Sequence, residues 1–110
     1  MAGYIYLASP YSHPDPKMRE HRFEQACAAA AKLMLAGATV FCPIAHSHPI
    51  GLWMGAEQTH ELWMAQDLPL LARASGLAVL MLDGWLESRG VQEEIDFALK
   101  HSIPVEYIRP

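Results

Sequence analysis

Cysteine is scarce in this chain: Cys27 and Cys42 are the only two, and their separation matches no paired redox or metal-binding motif. Stability must come from a packed core, and reduced thiols are expected, with Cys27 placed among helical apolar residues where a small core side chain fits. Positive charge is also in short supply. Eight Lys and Arg stand against 12 Asp and Glu, a net charge of -4, which gives no basic field for a nucleic acid duplex. Small molecules are the better class of partner. No apolar run approaches the roughly 20 residues that cross a bilayer, and the N-terminus runs into strand-like residues without a charged leader or cleavage site. A cytoplasmic protein with no membrane partner is expected.

Apolar residues, by contrast, are plentiful. They make up 52% of the 110 residues against 18% charged, enough for one hydrophobic core, so residues 1–110 read as a single domain. "YIYLA" (Tyr4 to Ala8) has strand composition and ends at "SPYSHPDP", where three prolines in eight residues require a loop. Lys17 to Ala36 reads as an amphipathic helix with Phe23, Cys27, Ala30, Ala31 and Met34 on its buried face and Gly37 as its stop.

"ATVFCP" (Ala38 to Pro43) is a short strand. The histidine-rich stretch "IAHSHPIGLWMGAEQTH" that follows reads as irregular, before helical composition returns from Glu61 to Ala74. Pro69 either kinks that helix or restarts it with Asp67 as a cap. "GLAVLML" (Gly76 to Leu82) suits a central parallel strand covered on both faces. "GVQEEIDFALKH" is a helix and "IPVEYI" (Ile103 to Ile108) a closing strand. Alternating strands and helices predict a three-layer αβα domain, flavodoxin-like or Rossmann-like, with a mostly parallel sheet of about four to five strands. Ligands of such sheets bind at the carboxyl ends of the strands, so the loops after Ala8, Pro43 and Leu82 are the expected site.

Two adjacent acids, Glu93 and Glu94, open the last helix. At about 100° per residue, Val91, Ile95, Ala98 and Leu99 form the stripe facing the sheet. Glu93 projects away from it toward solvent. Glu94 lies at the stripe's edge and points to the crevice, where the helix N-terminal dipole favours its charged form by roughly 0.3–1 kcal/mol. Acidic residues are also favoured in first turns for that reason alone.

Three stretches in order, "YIYLASPYS", "AQDLPLLARASGLAVLML" and "SRGVQEEIDFA", resemble the nucleoside 2-deoxyribosyltransferase superfamily, which includes deoxynucleoside monophosphate N-glycosidases. The chain looks closest to a branch without an assigned reaction. The resemblance covers nearly the whole chain and implies N-glycosidic bond cleavage of a nucleoside or its 5'-monophosphate, without a cofactor. In the family a glutamate of a G-[VTL]-x-x-E-[LI]-x-x-A pattern attacks the anomeric carbon, a role that "GVQEEIDFA" gives to Glu94. Asp67, an aspartate before leucine, would handle sugar and base, and Tyr6 in the first strand would orient the nucleophile. Transferases of the family carry aspartate six residues before the glutamate, and phosphate-binding hydrolases carry serine. Ser88 stands there in this chain, which implies hydrolysis more than base exchange. Family members complete one subunit's site with the next, implying a homo-oligomer, dimer or tetramer, with shared sites.

Other residues fill out the expected site. Ser9 and Ser12, in a loop leading into a helix, suit a phosphate, and the resemblance adds Ser88 and Gly90 as substrate-binding residues. Arg19 and Arg22 could reach the same place. Trp85, following Asp83 and Gly84 at a strand end, is the candidate for stacking on a base, with Asp83 and His46 as further substrate contacts. Trp63 reads as core packing. His13, His46, His48 and His60 raise a metal-dependent hydrolase as an alternative, although no helical His pair supports a ligand set and no metal is assigned. A non-catalytic nucleotide-binding module is the other alternative.

Overall fold

The computed structural model describes residues 3–110. The expected lack of an N-terminal leader falls partly on residues 1–2, outside that range. Four strands form one parallel sheet in the order β2-β1-β3-β4: β1 (Ile5–Ala8), β2 (Val40–Phe41), β3 (Gly76–Leu80) and β4 (Val105–Ile108). The helices are α1 (Pro16–Leu35), α2 (Pro43–Gly51), α3 (His60–Ala72) and α4 (Arg89–Lys100), with a short 3-10 turn at Gly55–Glu57.

Alternation along the strands creates two apolar faces. Tyr6, Ala8, Leu77 and Val79 pack against Leu71 of α3 and against Val91, Ile95 and Ala98 of α4. Leu7, Ala78 and Leu80 point the other way, onto Ala26 and Ala30 of α1, Cys42 and the start of α2. Every residue of β3 is buried, as a strand covered on both sides must be. The architecture is thus the expected three-layer α/β domain. Chain progression reverses between β1 and β3, which makes the gap at their carboxyl ends the switch point.

Several details differ from the sequence reading. The buried stripe of α1 runs through Ala26 and Ala30 with Phe23, Cys27, Ala29 and Leu33 beside it, while Ala31 is exposed and Met34 is 51% exposed. Four consecutive alanines blur the helical period, so the sequence placed the face about one residue too far round. In α4, Leu99 is 64% exposed rather than part of the stripe, and the place facing inward is taken by Glu94.

The stretch from Pro43 to Gly51, expected to be irregular, is the helix α2. Pro43 occupies its first turn, where the missing N–H would have had no partner anyway. Pro49 lies inside it, and anchoring of Ile44 and Ala45 on the α1 side of the sheet offsets the hydrogen bond lost there. Pro69 likewise leaves α3 unbroken: the cap of that helix is Thr59, whose Oγ1 accepts from the Leu62 amide at 3.1 Å. Asp67 is therefore not a cap, and its carboxyl is free for another task.

Candidate active site

A cavity of about 410 Å³ opens at the switch point, walled by the loop after β1, the first turns of α2 and α4, the loop after β3, and one face of α3. Glu94 and Asp67 both line it, although they are only 6% and 7% exposed. Tyr6, wholly buried in β1 beneath them, donates its hydroxyl to Glu94 Oε2. The helices explain the convergence. Ser88 caps α4 by accepting from the Val91 amide at 3.2 Å, which starts the helix so that Glu94 turns inward with Val91 and Ala98.

Burial dominates the electrostatics of this pair. It raises the Glu94 carboxyl to about 8, with the Tyr6 hydrogen bond opposing and the nearby charge of Asp67 adding to the rise. Asp67 is raised to about 6 by burial, and the Tyr6 phenol is driven well above its ordinary range, chiefly by burial and then by the Glu94 charge. Burial outweighs the helix dipole, which the sequence led one to expect would favour the charged form of Glu94. A dipole effect of roughly 0.3–1 kcal/mol is smaller than several pKa units at about 1.4 kcal/mol each. Burial thus holds both carboxyls above the ordinary carboxylate range, Glu94 further than Asp67.

Glu93 is not simply solvated. It accepts from His60 Nε2 at 3.0 Å and from Arg89 Nε at 3.2 Å, and these two contacts hold its carboxyl below the usual range, His60 first. Arg89 also reaches Glu61 at 3.3 Å. These four residues tie α3 to α4 at the rim.

The rest of the lining is rich in donors. Ser9, Ser12, Ser88 and Gly90 line the cavity, as does Arg22, whose Nη1 and Nη2 donate to the Ser12 and Asp83 carbonyls at 2.9 and 3.2 Å. Among the described residues, the buried side-chain polar atoms without a partner are Ser9 Oγ, Arg22 Nε and Ser47 Oγ. All three residues border this one cavity, and unsatisfied buried polar atoms call for an explanation.

Three expected contacts lie elsewhere. Trp85 packs into the α3–α4 core with its ring 5.5 Å from Tyr107, Asp83 is exposed and meets the site only through its carbonyl, and exposed His46 lies against Phe41 at 5.8 Å. Each follows Leu82 or Pro43 in the chain but turns away from the opening. Trp63, read as core, lines the cavity instead and donates from Nε1 to Gln58 Oε1 at 3.2 Å. That was legible in principle: His60, Trp63, Met64 and Asp67 follow the i, i+3, i+4, i+7 pattern of one helical face. Ser47, His48 and Tyr11 also reach the cavity. Among the described residues, no three His, Cys, Asp or Glu side chains converge as a metal-ligand set.

A family model described as a domain of unknown function (DUF1937) matches residues 3–109. The chain belongs to that family. No curated protein matches it. Among solved structures, this DUF1937 chain is similar to a 2-deoxyribosyltransferase from the psychrotolerant bacterium Bacillus psychrosaccharolyticus, with a TM-score of 0.69 and 23% identity over 97% of this chain and 72% of the other. At that identity the likeness establishes a shared fold.

Proposed function

We propose that this DUF1937 domain cleaves the N-glycosidic bond of a nucleoside or nucleoside 5'-monophosphate, by hydrolysis more than by base exchange, with Glu94 as nucleophile. The observation that carries this reading is the buried Glu94 carboxyl in the switch-point cavity, hydrogen-bonded by Tyr6 and coupled to Asp67. The fold shared with a 2-deoxyribosyltransferase supports glycosyl chemistry in general.

In this scheme Glu94 gives up its proton as substrate binds and reacts as the carboxylate, while Asp67 bonds a sugar hydroxyl or protonates the base. Positive charge growing on the sugar stabilises the ionised form of Glu94 as the base departs. The carboxylate then captures the anomeric carbon, and water releases the sugar. Tyr6 fixes the attacking oxygen. Ser9, Ser12, Ser88, Gly90 and Arg22 surround the 5'-phosphate at the start of α4, where backbone amides favour an anion. Trp63 takes the stacking role expected of Trp85. No cofactor is invoked, and the free thiols Cys27 and Cys42 suit a cytoplasmic setting. Among the described residues no helix is long and apolar enough to cross a membrane. Leu52 and Trp53, 76% and 92% exposed after α2, suit a homo-oligomer, dimer or tetramer, sharing residues across sites.

One feature favours the non-catalytic alternative: burial raises the Glu94 carboxyl to about 8, which favours its protonated form. Incubating a panel of ribo- and deoxyribonucleoside monophosphates with wild type and Glu94→Gln separates the two, with free base followed by chromatography. Release by wild type that falls by roughly 10³-fold or more in the variant is expected. Equal release by both removes Glu94 from the mechanism, and binding without release by either leaves a nucleotide-binding module.

A further inference from the structure

Tyr11 stands on the cavity wall with a hydrogen-bonded chain behind it. Its hydroxyl lies 2.6 Å from His48 Nδ1, and His48 Nε2 lies 2.8 Å from Glu20 Oε2. The imidazole is stacked on Phe23 at 4.3 Å between ring centres, and its side chain is only 11% exposed. Three elements thus supply one linear chain: the loop after β1, the helix α2 and the helix α1. The reading above uses none of its members.

Chemistry fixes the direction of the bonds. An ionised Glu20 can only accept, so His48 Nε2 carries a hydrogen. In the neutral ring Nδ1 is then the acceptor, and Tyr11 donates to it. In the imidazolium both nitrogens donate, Nδ1–H bonds the Tyr11 oxygen, and the Tyr11 O–H is released to point into the cavity. This is the logic by which a carboxylate and an imidazole serve a hydroxyl group in acyl transfer, with a phenol at the head. Burial raises the Tyr11 phenol against the pull of the Arg19 guanidinium, so at rest the group remains a hydroxyl. Charged neighbours are Glu20 and Arg19 from α1, with His13 and His60 on the adjoining groove.

We propose that Tyr11, His48 and Glu20 form the acid–base relay of this cavity, which protonates the departing heterocycle and then activates water. This rests on the reading that the cavity cleaves an N-glycosidic bond. In the first half, the Glu94 carboxylate bonds to the anomeric carbon and the carbon–nitrogen bond breaks. Tyr11 gives its proton to a ring nitrogen of the base, and Nδ1–H of the His48 imidazolium refills the phenol. In the second half, water attacks the anomeric carbon, its proton passes to Tyr11, and the Tyr11 proton returns to His48. Glu94 leaves as carboxylate and the imidazolium is restored. The sum is nucleoside plus water giving sugar plus base, with no external proton. Tyr11 is the catalytic member, whereas His48 and Glu20 act through it.

A substrate whose base needs no proton tests this. 7-Methyl-2'-deoxyguanosine 5'-monophosphate carries its positive charge already, so its base departs as a neutral molecule, whereas 2'-deoxyguanosine 5'-monophosphate requires protonation. Tyr11→Phe is expected to lose roughly 10²-fold in kcat on the unmethylated nucleotide and far less on the methylated one. His48→Gln follows the same pattern, and Glu20→Gln does so more weakly. Equal losses on both substrates, or a leaving-group-dependent loss in Asp67→Asn but not in Tyr11→Phe, would overturn the relay while leaving Glu94 as nucleophile. If wild type releases base from neither nucleotide while both bind, the glycosidase reading and the relay fall together. A readout that needs no turnover is the imidazole ¹⁵N spectrum. His48 should carry a hydrogen on Nε2 and show an Nδ1 resonance that moves in Tyr11→Phe, and an unmoved resonance in that variant overturns the chain.

Discussion

Keeping Glu94 where it lies costs the fold stability that varies with pH. Its carboxyl is raised from 4.5 to about 8 in the native state, while the unfolded chain ionises it near its ordinary value. Between those pH values the native state holds the extra proton, so this contribution is fully present below about 4.5 and is lost as pH rises through 8. Asp67, raised to about 6, acts in the same direction over a narrower window. Glu94→Gln removes the titration and keeps the shape. Its Tm should match wild type near pH 4.5 and exceed it by about 5 °C or more at pH 8.5, since roughly 4–8 °C accompany each kcal/mol in a domain of this size. Thermal unfolding followed at both pH values checks this. A gap that stays constant with pH would mean that Glu94 is not the buried acid described above. Active-site groups commonly carry such a stability cost in exchange for function.

At the scale of elements, Ser88 has two tasks. Its hydroxyl caps α4 through the Val91 amide and also borders the cavity. Ser88→Ala should cost about 1 kcal/mol of stability and weaken binding of a nucleoside 5'-monophosphate more than that of the parent nucleoside, as chemical denaturation and calorimetric titration would show. Elements whose local cues agree are legible in the sequence. β1, β3 and α4 each have a composition, a period and a boundary residue that point the same way, and with them came the acidic pair, whereas Tyr6 came only with the family resemblance. The helix α2 was not readable. Two prolines and a histidine pair hide its period, and only burial of its first turn against α1 makes it a helix. With α2 unseen, Ser47, His48 and the partner of Tyr11 had no place. In α3 the helical face is legible, but Pro69 breaks the local pattern and masks that Trp63 and Asp67 share it.

The whole molecule places its chemistry through strand order. Because β1 is flanked by β2 and β3, the loops leaving it and β3 diverge, and the acids from α3 and α4 face donors from the other side of the gap. A ligand that spans both walls should hold the layers together. A nucleoside 5'-monophosphate at 100 times its Kd should stabilise the fold by about 2.7 kcal/mol. The parent nucleoside at equal concentration should give a smaller rise in Tm, and salt should narrow that difference, because charge screening weakens the phosphate contacts most. A nucleoside matching its monophosphate across a salt series would mean that the donor wall does not hold phosphate.

Arg22 meets Gly84 so closely that a Cβ at position 84 would come within 2.6 Å of its Nη2, on a backbone with φ of 95°. The guanidinium works as a clasp between two separate turns, and the hydrogen atom on Gly84 is what lets it shut. One added methyl group there would prise the fastening open, pushing the guanidinium off the Ser12 and Asp83 carbonyls and loosening the turns beyond β1 and β3 while the paired strands stay joined.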